Sequence, residues 1–129
     1  MPCALTIDPT GSYIEASYSG LLSFNDLLHS RQAILSMARS QPLDKLLVDK
    51  QRVTGGFSIG DLFLLVNWLA LQQDATRIRE AVLRPASASM QQCCEFWETA
   101  CTNRRLSVRI FDHEEQAIPW LIAAKPAQH

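Results

Sequence analysis

Leu46-Leu47-Val48 and Ala81-Val82-Leu83 carry only apolar side chains. A strand with one wet face alternates apolar and polar residues. A strand apolar on both sides is covered on both faces, which is the environment inside a parallel sheet. Each run is bounded by segments of helical periodicity. Before the first run, Phe24, Leu27, Leu28, Ile34, Leu35 and Ala38 recur at helical spacing, with Ser23 or Asn25 as cap and Gln41-Pro42-Leu43 as stop. Between the runs, Ser58 and Asp61 resemble a capping box that opens a second helix reaching about Gln73. After Pro85, Ser87 or Ser89 caps a third helix whose face is Met90, Cys93, Cys94, Trp97, Ala100 and Cys101. Parallel neighbours need crossover connections, so the alternation predicts an α/β sheet.

The two ends complete the pattern. Cys3, Leu5 and Ile7 alternate, as do Ile14, Ala16 and Tyr18, and Asp8-Pro9-Thr10-Gly11 between them suits a tight reversal. These segments predict an antiparallel hairpin. A last strand over residues 106–111 is followed by a box-like cap, Asp112 with Glu115, and a short helix carrying Ala117, Ile118 and Leu121. Pro119 removes a backbone donor and disfavours helical geometry before it, so a kink or restart is expected there. The expected order is β-β-α-β-α-β-α-β-α, a five-stranded mixed sheet with four helices, in a single domain over residues 1–129.

Composition narrows the function classes. Twelve Lys and Arg stand against 13 Asp and Glu, a net charge of -1, which gives no global field for nucleic acid or an anionic membrane. The first residues lack the basic and apolar regions of a signal peptide. The longest apolar stretch, residues 62–71, is broken by Asn67 and is far shorter than the roughly 20 residues of a spanning helix. Cys93 and Cys94 are adjacent and point about 100° apart on a helix, a poor geometry for a framework disulfide. Reduced thiols and a cytoplasmic protein are the expectation.

Chemistry-bearing motifs are sparse. No Cys-x-x-Cys pair occurs, and His29, His113 and His129 are scattered, so no metal is expected and the helical cysteines fit the core as small hydrophobes. There is no Gly-x-Ser-x-Gly, phosphate loop or dinucleotide fingerprint; Gly55-Gly56 lacks the Lys-Ser/Thr of a phosphate loop and suits a turn. No catalytic residue and no cofactor are therefore assigned. Asp49 follows a buried run, where ligands of open α/β sheets bind, and marks a possible site edge. Arg104-Arg105 and Glu114-Glu115 complement helix dipoles.

The second helix is the most informative segment. At about 100° per residue, Ile59, Leu62, Phe63, Val66, Leu69 and Ala70 form one apolar stripe. Leu64, Trp68 and Leu71 form another on the opposite side, with Leu65 beside it. A helix hydrophobic all round is covered all round. Leu64, Leu65, Trp68 and Leu71 are thus expected to contact a second subunit, a protein partner or an apolar ligand.

Leu46-Leu47-Val48-Asp49, Phe96-Trp97-Glu98-Thr99-Ala100, Val108-Arg109-Ile110-Phe111-Asp112, Glu115-Gln116-Ala117 and Trp120-Leu121 together resemble the STAS-like, or SpoIIAA-like, family. These are single bacterial domains related in fold to anti-sigma-factor antagonists and, more distantly, to lipid-binding CRAL-TRIO domains. Related sequences often carry Gly where Arg105 stands. The Asp-Ser-Ser-Gly signature of phosphorylated antagonists is absent, although Ser58 sits near the comparable helix start. Ser58 is accordingly either a phosphoacceptor, favoured by the helix N-terminus, or a simple N-cap. With the apolar second helix, the expected function is a non-catalytic bacterial interaction or regulatory module that self-associates or docks a partner through that helix, with any regulation in residues 54–61. The alternative the resemblance implies is a carrier or sensor of a small apolar or lipid-like ligand, with a pocket between helix and sheet lined by Leu64, Trp68 or Trp97.

Overall fold

A computed structural model of the chain describes residues 3–123. Strand β1 (Cys3–Ile7) pairs antiparallel with β2 (Ile14–Leu21), Cys3 opposite Tyr18 and Ile7 opposite Ile14. The reversal is held by the Asp8 carboxylate, which accepts from the Thr10, Ser12 and Tyr13 backbone N–H groups and the Thr10 hydroxyl. Three parallel strands follow: β3 (Lys45–Gly55), β4 (Arg79–Leu83) and β5 (Ser107–Phe111), in the spatial order β1-β2-β3-β4-β5. The connections are α1 (Phe24–Ser40), α2 (Ile59–Ala70) and α3 (Ala88–Asn103), and α4 (Glu114–Ile122) ends the described chain. The expected element order is the observed one.

Each parallel strand is added beside its predecessor, so right-handed crossovers put α1, α2 and α3 on one face. The larger core lies there, with Ile14, Ala16, Tyr18, Leu46, Val48 and Val82 of the sheet meeting the helices. On the other face Ala117 and Leu121 of α4 pack with Tyr13, Leu47, Ala81 and Leu83. The two triple-apolar runs are therefore buried on both sides, as their patterning requires.

Several local expectations are corrected. The second helix ends at Ala70, short of Gln73, and a single 3₁₀ turn, Ala75–Arg77, follows. Ser23 with Asp26 and Ser58 with Asp61 form complete capping boxes, but Ser87 makes no capping bond. His113, not Asp112, is the N-cap of α4, because Asp112 instead accepts from Arg84 Nε at 2.8 Å. Pro119 lies inside α4 and does not divide it. The carbonyl it leaves without a helical donor belongs to Glu115, an exposed residue that water can serve.

Two turns place the functional elements. α3 ends in a Schellman motif: Leu106 N donates to Cys101 O and Arg105 N to Thr102 O, at 2.9 and 3.0 Å. Arg105 holds φ +64, the left-handed position glycine usually fills. Between β3 and α2, Gly56 has φ +98, and a Cβ there would lie 2.6 Å from backbone atoms of Leu22. The diglycine is thus a close-approach turn.

Candidate functional site

Strand β3 is much longer than the three-residue run suggested, reaching Gly55. Its ladder with β4 stops at Asp49 opposite Leu83, while its pairing with β2 continues. Between Ser17↔Asp49 and Ser19↔Arg52 the register slips by one, leaving an extra residue at Lys50-Gln51. Such a bulge re-aims side chains at a strand edge. Lys50 stays buried on the three-helix face, and after the bulge Val53 returns to the core. Asp49 is half-buried and accepts from Gln51 N at 3.0 Å, inside the strand rather than beyond it.

The buried side of α2 is Leu62, Leu65, Val66 and Leu69. Relative to the expected stripe, the helix is turned by roughly 50° about its axis. Leu65, expected at a partner contact, is 2% exposed and belongs to the core, so it offers a partner no surface. Phe63 and Ile59, expected in the core, are 48% and 45% exposed. Arg104, the C-cap of α3, contacts the outer side: its Nε donates to Asn67 Oδ1 at 3.0 Å and its guanidinium lies over Phe63 at 5.5 Å. Leu64 and Leu71 are 57% and 82% exposed, and Trp68 is half-buried against the core. The outer face of α2 thus presents Ile59, Phe63, Leu64 and Leu71.

Ser58, at the start of this face, is exposed, and its Oγ accepts from Asp61 N at 3.0 Å while Ser58 N donates to Asp61 Oδ2 at 2.9 Å. Cys93, Cys94 and Cys101 are buried free thiols, and burial pushes all three up from the ordinary thiol value. No group of three or more potential ligands that could hold a metal occurs among the described residues. No helix among them is long and apolar enough to cross a membrane.

Pattern reading missed a charged centre inside the larger core. Arg31 of α1 donates from both terminal nitrogens to Glu80 of β4, at 2.6 and 2.9 Å, and Trp97 Nε1 of α3 donates to Glu80 at 3.1 Å. Burial pushes the Glu80 carboxyl up, but Arg31, Lys50 and the Trp97 hydrogen bond together outweigh it and hold the group below its ordinary value. Lys50 lies over the Trp97 ring at 5.5 Å, and Arg31 at 4.9 Å. Lys50 has no salt-bridge partner among the described residues. Arg31 did leave a signal: it falls four residues after Leu27 and four before Leu35, on the apolar stripe of α1.

The helix–sheet cavity beside this centre is about 20 Å³, room for roughly one water, and is lined by Ile34, Leu46, Leu69, Ile78, Leu106 and Val108 among others. Leu64, Trp68 and Trp97, the expected lining of a ligand pocket, do not border it.

These elements define an open, mixed α/β sheet with three helices on one face and one on the other. No protein-family model and no curated protein matches the chain. Among solved structures it is similar to an uncharacterised protein of the DUF3478 family with a SpoIIAA-like fold, from Shewanella loihica PV-4. The two align over 92% of this chain and 93% of that one, with a TM-score of 0.63 and 17% identity. The fold of this chain is SpoIIAA-like, as the C-terminal residues suggested.

Proposed function

We propose that this chain is a non-catalytic interaction module that pairs with a second copy of itself through the outer face of α2. The observation that carries the proposal is the concentration of bare apolar surface. Six large hydrophobic side chains are exposed among the described residues, and Ile59, Phe63, Leu64 and Leu71 on α2 are four of them. Exposed apolar side chains concentrated on one element favour association. Full burial of a large apolar side chain contributes roughly 1.5–3 kcal/mol. A two-fold axis across α2 would set each copy's stripe against the other's, the self-complementary arrangement of most homodimers. Ser58 lies beside this stripe, and a phosphate there would add roughly two negative charges next to an apolar contact. We propose it as the point of control.

The test is the mass in solution. Wild-type protein should sediment as a dimer, and Leu64→Glu combined with Leu71→Glu should sediment as a folded monomer. A wild-type protein that stays monomeric at every concentration reached ends the proposal.

A further inference from the structure

The unpaired cation at the bulge points to a ligand site distinct from the α2 face. Lys50 is 6% exposed. It lines a small cavity of about 10 Å³ with Phe57, Leu62, Met90, Cys93 and Cys94 among its walls, room for about one water. Among the described residues every side-chain nitrogen or oxygen closed off from solvent has a hydrogen-bond partner. Lys50 Nζ has no acceptor, so it is not closed off, and Lys50 is among the residues that line this cavity.

Charge balance gives the ligand's sign. Arg31 and Lys50 bring two positive charges to a buried centre where Glu80 supplies one negative charge. Glu80 is already engaged by Arg31 and Trp97. Buried charges are normally paired, so the centre lacks one anion. Burial pushes Lys50 down from the ordinary lysine value, as expected of a cation short of acceptors. The position is consistent with this: the cavity sits where the β3–β4 ladder ends, on the carboxyl side of parallel strands. The start of α3 there has no side-chain cap.

The walls give the rest of the ligand. Val53, Leu62 and Pro85 are buried and apolar, while Phe57 and Met90 are half-buried and form the mouth. Met is an adaptable side chain, able to move aside and line an enlarged cleft. We propose that this cleft binds a small monocarboxylate with a short apolar tail, the carboxylate paired with Lys50 and the tail leaving between Phe57 and Met90.

Hexanoate is a suitable probe, with hexanol as its neutral counterpart. Titrated into the full chain and followed by amide chemical shifts, hexanoate should give saturable shifts at Phe57, Met90 and Cys93. Hexanol should bind at least about tenfold more weakly, the low end for losing a charge-assisted bond. Lys50→Met should bring hexanoate down to the hexanol level. Cys93→Leu, which keeps Lys50 but fills the cavity, should also lose binding and decides the matter if Lys50→Met does not fold. Absent shifts at these positions, equal affinity for hexanoate and hexanol, or undiminished binding by Cys93→Leu each overturn the proposal. The Leu64→Glu/Leu71→Glu protein should still bind hexanoate, since the cleft does not use the outer face of α2.

Discussion

Arg31 and Glu80, 49 positions apart, face each other inside the core with both carboxylate oxygens bonded to the guanidinium. The pair ties α1 to β4, and Trp97 adds a third bond from α3. Removing one partner leaves the other charge buried alone, which costs about 3–5 kcal/mol. Glu80→Ala should therefore lose about that much in urea unfolding. Replacing both, as in Arg31→Met with Glu80→Leu, should cost far less than the sum of the single changes. Additive losses in this double-mutant cycle would show that the two side chains are not coupled.

The same centre predicts a pH dependence. Glu80 is held below its ordinary value of 4.5, so its contribution is fully present above pH 4.5 and is lost as pH falls through the folded value. Lys50 faces Arg31, Glu80, Cys94 and Cys101 and is held below its ordinary 10.5. The unfolded chain then binds the lysine proton more tightly, so this group makes stability rise with pH up to about 10.5. The buried thiols act oppositely above 9.0, because the unfolded chain ionises first. Lys50 also pulls the Cys93, Cys94 and Cys101 thiols down, so wild type and Lys50→Met are compared below pH 9.0, before the thiols ionise. Lys50→Met should be the more stable at pH 7, with the advantage shrinking as pH rises. A constant difference from pH 6 to 9 would contradict a buried lysine without a counter-ion.

Local signals carried the fold and long-range ones hid the site. Leu46-Leu47-Val48, the Ser58 box and the Asp8-to-Gly11 turn each act over a few residues, so each could be read from the chain. The phase of α2 could not. Phe63 and Leu65 are both large and apolar, and which of them faces out depends on packing against distant elements, with Arg104, 37 positions beyond Asn67, bonded on the outer side. The burial of Lys50 left no sequence signal because it depends on a register slip between β2 and β3. Arg31 and Glu80 are 49 positions apart, and no local pattern pairs them.

Arg105 tests a departure visible in the sequence. Its φ of +64 costs a side-chain-bearing residue roughly 1 kcal/mol relative to glycine, and its exposed side chain donates no compensating bond among the described residues. Arg105→Gly should raise the melting temperature, with a gain of about 0.5–1 kcal/mol. Arg105→Val, whose β-branch resists this region, should lower it. An unchanged melting temperature in both variants would mean that the Schellman turn is not strained.

Leu64 and Leu65 are neighbours with opposite surroundings, and they separate packing from association. Leu65→Ala opens a cavity in the core and should cost about 2–5 kcal/mol in unfolding. Its folded fraction should assemble like wild type, since the outer face is intact. Leu64→Ala should leave the stability of the dilute protein within about 0.5 kcal/mol, as surface changes do. It should also weaken self-association, because the methyl groups it removes lie on the outer face. Unfolding at low protein concentration and sedimentation at high concentration read the two effects independently. If Leu65→Ala dissociates the protein and Leu64→Ala does not, the face of α2 assigned to docking is the wrong one.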